Sequence, residues 1–374
     1  MILVSVQAFP PATGGIENLL HGTALHVARA GFEVRVFGDG GRAARDFDRA
    51  SGAPYAVRRF AGPRPLRRWL KARALLAEAR AAATRGDPVE ALFLDTWKSL
   101  EPLPAGLPFP VVPWAHGNEF PPDGPKVARI ARALSRASHV LVNSRETLTR
   151  MGAALPEGMA HTVLHPPVFP AVEPTAAEIA EAAVLWGEAG PRLFSVCRLI
   201  DWKGIDTAIA ALPAIRAAHP GIRYVVAGSG CDRARLEALA REAGVSETVV
   251  FAGRIGDGLK TALMRSADLF LQPGRKVVEE REGFGITYLE AALEGLPTIC
   301  GDAGGAPEAI RPGETGLVVD ATRVGAVEEA VRSLLDDPAR LAAMREAARA
   351  HGQAGLWQNR IADLLAVAGL APRG

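Results

Sequence analysis

Short runs rich in valine and leucine alternate with amphipathic stretches along nearly the whole chain, and the alternation starts over after a proline-rich stretch, "HPPVFPAVEP". Such runs between helices are the mark of buried parallel strands in βαβ units. In the first half "ILVSVQ" reads as a strand and "FPPATGG" as a loop. Ile16, Leu19, Leu20, Thr23, Ala24 and Val27 then share a helical face, Gly31 closes that helix, and "EVRVFG" is the next strand. Further strands are expected in "ALFLD" (91–95), "VVPWAHG" (111–117), "HVLVNS" (139–144) and "HTVLHPP" (161–167). The second half reads "RLFSVCRL", a helix over 207–218, "RYVVAGSG", a helix over 234–243, "VVFAGR", a helix near 259–266, "LFLQPG", the segment "EEREGFGITYLEAALEGL", "PTICGD" and "TGLVVD", before a nearly all-helical tail.

The expected class is α/β: two Rossmann-like, doubly wound domains that face a cleft lined by the carboxyl ends of both sheets, where such folds bind ligands. A chain of 374 residues suits two cores rather than one. The linker sets the expected domains at 1–170 and 171–355, with 356–374 as a terminal helix. The net charge of +2 hides an asymmetry: residues 1–170 hold 21 Lys+Arg against 14 Asp+Glu, and the rest hold 22 against 27. No apolar run is long enough to span a membrane, and the opening residues lack a basic leader, so a cytoplasmic location is expected. Cys197, Cys231 and Cys300 are too few and too scattered for a disulfide framework or a zinc knuckle and are expected to be small buried side chains.

Chemistry gathers at the strand-to-helix junctions of the second half. "VCRLIDWKG" puts Arg198 at a strand end and Lys203 five residues on, two cations suited to an anion with several oxygens, such as a diphosphate. In "EGFGITYLE", Gly283 and Gly285 let backbone approach a ligand closely, and the amides of Phe284, Gly285 and Ile286 open a helix whose positive end favours phosphate. Glu282 and Glu290 stand eight residues apart across that loop. In a continuous helix they would be separated by roughly 12 Å; the glycines place Glu282 in the loop instead, so each carboxylate can hold hydroxyls on a different side of a phosphate.

These segments, with "VVAGSG", "VVFAGR", "GLPTICGDAGGAPEAI" and "TGLVVD" in the same order, closely resemble the retaining glycosyltransferases of family 4, which have the GT-B fold. The wording is most similar to bacterial mannosyltransferases that use GDP-mannose on phosphatidylinositol mannosides. The resemblance implies transfer of a hexose from a nucleotide diphosphate sugar to a hydroxyl of a glycolipid, lipid-linked or saccharide acceptor. It implies no cofactor and no metal. Arg198, Lys203, Glu282 and His116 of "WAHGNEF" would be the catalytic set. Gly14 and Gly15 of the glycine loop, Gly228, Ile255, Gly283, Phe284, Gly285, Ile286 and Glu290 would bind the donor, with Ile255 at the base and Glu290 at the ribose. Ser144 and Arg145 of "VLVNSRET" would line the acceptor side, and Trp357 would begin a terminal helix that returns to the first domain. Glu294 departs from the family's small residue and is expected to be an exposed helix-end variation. UDP-sugar donors, or an epimerase or phosphorylase on the same fold, remain open alternatives.

Two other stretches are weighed. "DFD" at 46–48 has the form of a metal-binding D-x-D, but it lies in an arginine-rich stretch with no strand leading into it, which argues against a metal. Residues 58–85 carry nine cations and one acid; Leu66, Trp69, Leu70, Arg73 and Leu76 can share a helical face beside Arg67, Arg68 and Lys71. That pattern suits an anionic membrane surface, which would put the protein at the inner face of the cell membrane. Aromatic residues are too scarce there for nucleic acid.

Overall fold

The computed structural model describes residues 1–12, 14–188 and 190–373. Contacts divide it into two units, Met1–Val168 with Trp357–Gly374, and Phe169–Leu356.

The first unit is built on a seven-stranded parallel sheet in the order β3-β2-β1-β4-β5-β6-β7. Its strands are β1 (Ile2–Val6), β2 (Val34–Asp39), β3 (Ala56–Phe60), β4 (Ala91–Leu94), β5 (Val111–Ala115), β6 (Val140–Val142) and β7 (His161–Val163). Helices α1 (Gly15–Arg29), α2 (Arg42–Ala50), α3 (Arg64–Thr84), α4 (Pro125–Leu134) and α5 (Arg145–Met151) connect them. Every residue of β1, β4 and β5 is buried, as expected of strands covered on both faces. The basic stretch is not one helix: its first residues form the edge strand β3, paired with β2, and the helix starts only at Arg64. Edge strands tolerate charge because one side meets no neighbour, which is why "AVRRF" carried no strand signal.

The second unit has a six-stranded parallel sheet in the order β10-β9-β8-β11-β12-β13. It comprises β8 (Arg192–Val196), β9 (Arg223–Ala227), β10 (Val249–Gly253), β11 (Leu269–Gln272), β12 (Thr298–Gly301) and β13 (Gly316–Val319). Its helices are α6 (Ala176–Trp186), α7 (Ile205–Ala218), α8 (Arg233–Glu242), α9 (Asp257–Ser266), α10 (Ile286–Leu293), α11 (Val324–Leu335) and α12 (Pro338–Ala354). In both units the strand order reverses beside the first strand, so each has a topological switch point, between β1 and β4 and between β8 and β11, where open α/β sheets take their ligands.

The terminal helix α13 (Trp357–Ala366) belongs to the first unit and packs on α1. Trp357 is almost wholly buried and stacks on His26, with ring centroids 5.2 Å apart. Its backbone N–H donates to the Val168 carbonyl. Gly22 of α1 makes the stack feasible, since a Cβ there would fall 2.2 Å from the indole.

Candidate active site

At the second unit's switch point the chain leaves β8 through Cys197 and Arg198, forms a short turn over Asp201–Lys203, and enters α7 through Gly204. Gly204 has φ +73°, and a Cβ there would lie 1.8 Å from the Pro273 carbonyl oxygen, so the loops after β8 and β11 touch backbone to backbone. Lys203 reaches from one loop to the other: its Nζ donates to Glu282 Oε2 at 2.5 Å and lies over the Trp202 ring. Arg198 is exposed. The Cys197 thiol is pushed up to about 12 by burial, and it feels the charges of Lys203, Glu282 and Arg198 together, which puts all three in one neighbourhood. Sequence reasoning brought these residues together through motif order; the geometry adds that Lys203 and Glu282 are a direct ion pair with little exposure on either side.

Glu282 lies in the loop before α10, which begins at Ile286 with Gly285 as N-cap at φ +94°. Only glycine fits there without strain, and a Cβ would fall 2.3 Å from the Tyr288 ring. Tyr288 is buried and donates to the Gln272 carbonyl, and Phe284, four residues earlier, is buried too. The Glu282 carbonyl accepts from Gly305 N–H at 2.9 Å, and Gly304 packs so closely that a Cβ would sit 2.3 Å from that oxygen. The "GGAPE" segment therefore buttresses Glu282 from behind. Glu290 faces Lys260 of α9, whose Nζ is 3.0 Å from Glu290 Oε1 and 3.0 Å from Asp257 Oδ1. Burial lowers the Lys260 pKa, but Glu290 and Asp257 outweigh it and hold the ammonium above its ordinary value. Ile255 lies in the loop between β10 and α9, two residues before Asp257. Gly228 has a packing reason of its own: at φ +126° it passes the Cys197 carbonyl, where a Cβ would be 1.8 Å away.

In the first unit, Gly14 is the N-cap of α1 and Gly15 its first residue; Thr13, in the same glycine loop, lies outside the described residues. At the switch point the Gln7 N–H donates to Asp95 Oδ2 at 2.6 Å, joining the loop after β1 to the end of β4. His116, after β5, shares a hydrogen bond at 2.8 Å between Nε2 and the Asp95 carbonyl, which makes Nε2 the protonated nitrogen. Its backbone N–H donates to Glu119 Oε1 at 3.0 Å, while Thr96 Oγ1 donates to Glu119 Oε2. Desolvation drives the pair in opposite chemical directions, the His116 pKa down to about 4 and the Glu119 pKa up to about 7, so both favour their neutral forms. Glu119, Asp95, Lys260, and the pair Arg275–Asp206 were missed from sequence. The signal available was position: each stands within a few residues of a strand end or helix start.

Several expectations are corrected. Ser144 does not line a surface; it is fully buried as the N-cap of α5, its Oγ accepting from Thr147 N–H at 3.0 Å, whereas Arg145 is exposed. Glu294 is not an exposed variation: it caps α10 and pairs with Arg265 at 2.6 Å, its side chain 11% exposed. Cys231 is exposed in the loop between β9 and α8, while Cys300 is buried. No strand leads into "DFD": the motif lies inside α2, seven residues beyond the end of β2 at Asp39. There Asp46 pairs with Arg49, and Asp48 grips the buried Arg59 of β3. The cations beside the α3 apolar face also turn inward, Arg67 and Lys71 onto Asp39 and Arg68 onto Glu101. Leu66, Trp69 and Leu70 stay exposed, with Arg73 over the Trp69 ring. Among the described residues no helix is long and apolar enough to cross a membrane.

Two doubly wound parallel-sheet units are the architecture of the GT-B glycosyltransferases. Sequence models described as "Glycosyl transferases group 1" and "Glycosyltransferase Family 4" match residues 178–351 and 13–167. The chain is 33% identical over 390 residues, 98% of each partner, to a GDP-mannose-dependent alpha-(1-6)-phosphatidylinositol monomannoside mannosyltransferase of Mycolicibacterium smegmatis. It is 42% identical over 159 residues, 42% of this chain and 41% of the relative, to a GDP-mannose-dependent monoacylated alpha-(1-6)-phosphatidylinositol monomannoside mannosyltransferase of Corynebacterium glutamicum. Among solved structures, Anabaena HepE in complex with UDP superposes with a TM-score of 0.77 at 20% identity, over 98% of this chain and 99% of that one. The chain belongs to glycosyltransferase family 4, and it is a glycosyltransferase.

Proposed function

We propose that the enzyme transfers mannose from GDP-mannose to a hydroxyl of a phosphatidylinositol mannoside or a related glycolipid or saccharide precursor, with retained anomeric configuration and without a metal. The observation that carries this reading is the end-to-end similarity to a relative of that name, 33% identical over 98% of both chains. The site chemistry supports it. Lys203 spends one of its three N–H donors on Glu282 and has two left for phosphate oxygens, and Arg198 adds a guanidinium whose side chain is exposed. With the amides that open α10, they supply the positive charge that a metal supplies in other transferases. In this reading Glu282 holds the donor sugar's hydroxyls, Glu290 the ribose, and Ile255 the base. Gly228 borders the donor, Gly14 and Gly15 form a backbone anion cradle at the start of α1, and His116 contacts the sugar or acceptor.

The reaction is same-face substitution: the acceptor oxygen bonds to the anomeric carbon as that carbon's bond to the diphosphate breaks. The acceptor's proton passes to the departing phosphate, so no side chain need act as nucleophile. The exposed Leu66, Trp69 and Leu70 of α3, with Arg64, Arg73 and Arg80 also exposed, support peripheral contact with an anionic lipid surface where a lipid acceptor resides.

The test is incubation with GDP-mannose and a phosphatidylinositol mannoside in the presence of a chelator, with NMR of the product. An α-linked mannose is expected. A β-linkage would refute retention, and turnover only on adding a divalent cation would refute metal independence. A thermal-shift panel of GDP, UDP and ADP decides the base, since a ligand at 100 times its Kd that binds only the folded state stabilises by ~2.7 kcal/mol.

A further inference from the structure

We propose that Arg275 and Asp206 are positioning residues that aim the Lys203–Glu282 pair, by locking together the two loops that carry it. This rests on the reading of Lys203 as a charge partner of the departing diphosphate. Lys203 and Glu282 stand 79 residues apart, on the loops after β8 and β11, and their geometry depends on how those loops meet. They meet at Arg275. Its backbone N–H donates to the Trp202 carbonyl at 2.9 Å, one residue before Lys203. Its guanidinium forms a two-pronged bond to Asp206, in the first turn of α7, with Nη1 to Oδ1 at 2.6 Å and Nη2 to Oδ2 at 2.7 Å. Nη1 also donates to Thr207 Oγ1 at 3.0 Å.

Both side chains are mostly sheltered, at 19% and 15% exposure. Desolvation pushes the Asp206 carboxyl up, but Arg275 and Arg235 together outweigh it and hold it below its usual range. Arg235 of α8 adds a second cation to Asp206 at 3.0 Å. The backbone on either side has no slack: a Cβ at Gly204 would meet the Pro273 oxygen at 1.8 Å, and one at Gly301 would meet the Gly274 oxygen at 1.7 Å. The fork is thus the side-chain bolt in a tightly stacked crossing. A lysine keeps the charge but cannot reproduce two parallel bonds to one carboxylate.

The experiment is a double-mutant cycle on the full chain, with Arg275→Lys, Lys203→Ala and the combination, read by kcat, donor KM and acceptor KM with GDP-mannose and UDP-glucose as donors, and by thermal unfolding. If Arg275 acts through Lys203, Arg275→Lys lowers kcat about tenfold with little change in either KM, and in the Lys203→Ala background the same substitution costs less than about twofold. Equal losses in both backgrounds, or an unchanged kcat in a folded Arg275→Lys protein, overturn the proposal. Should Arg275→Lys fail to fold, Asp206→Asn, which retains an oxygen for the Thr207 N–H, is run through the same cycle with the same two outcomes. A harmless Lys203→Ala refutes the leaving-group reading itself and removes the proposal with it, a result distinct from an additive cycle.

Discussion

On the loops after β8 and β11 the second unit holds charged groups in ion pairs, Lys203 on Glu282 and Arg275 on Asp206 of the adjoining α7, and α9 and α10 add Lys260 on Glu290. Between β1 and β4, and at the neighbouring β5, the first unit has a buried ion pair, Lys71 on Asp39, and beside it groups that burial drives toward neutrality, Asp95 and Glu119 with raised pKa values and His116 with a lowered one. The two sheets share a strand order, 3-2-1-4-5-6 counted within each unit, with one extra strand at the end of the first. The same topology therefore carries two different charge arrangements, which fit the roles proposed above. A site that meets a multiply charged anion keeps its cations ionised by pairing them, whereas a site that handles hydroxyls can use neutral donors and acceptors.

The comparison can be broken most forcefully through α13, which ties the chain's end to the first unit. Trp357→Ala is expected to cost ~3–5 kcal/mol, as large aromatic truncations in cores do, with the loss of hydrogen-exchange protection confined to α1 and its sheet. Equal loss in α7 and α10 would mean that the two units do not respond separately. Next in size, Arg198→Ala and Lys203→Ala should each lower turnover on the order of 10²–10³. Arg198→Ala should leave thermal stability unchanged, because that side chain is exposed. Near-normal turnover in either folded variant would take the diphosphate role away from it. Smaller again, Glu290→Ala should weaken GDP binding by about 10–100-fold in calorimetry, the worth of a hydrogen bond to a charged group. Unchanged affinity would leave Glu290 as a structural partner of Lys260 alone.

The finest distinction is in pH dependence. Glu119, raised from 4.5 to about 7, contributes stability that is complete below pH 4.5 and is lost as pH rises through 7. His116, lowered from 6.5 to about 4, contributes stability that is complete above 6.5 and is lost as pH falls through 4. Between pH 4.5 and 6.5 the two slopes oppose each other. Glu119→Gln should remove Glu119's share of the falling limb and leave that of Asp95, so that unfolding free energy, measured by urea titration, rises more with pH between 4.5 and 6.5 than in the unchanged protein. An unaltered pH profile would show that Glu119 does not titrate with a raised pKa in the folded protein.

Most of the strands were legible because buried parallel strands read as apolar runs with little to confuse them, as in "ILVSV" and "LFLQ". The site residues of the second unit were legible because glycine, arginine, lysine and glutamate stand at strand ends, where α/β folds keep their chemistry. The edge strand β3 was hidden by its arginines, and Ser144 was misplaced because a polar residue at a helix start reads alike whether it caps the helix or faces a ligand. Glu294 and the cations Arg67, Arg68 and Lys71 read as outward-facing because their partners, Arg265, Asp39 and Glu101, lie between 28 and 33 residues away along the chain, as in the 32 between Lys71 and Asp39.

By itself the sequence determined the number of sheets, the placement of most strands and the identity of the groups at the second switch point, since hydrophobic period and backbone freedom act over a few neighbouring residues. The tertiary structure alone decided which charge meets which: that Lys203 bonds Glu282, that Lys260 holds Glu290, and that Arg275 clasps Asp206. Pairing strength depends on distance and on exclusion of water, and both arise only once segments remote in the chain are packed side by side.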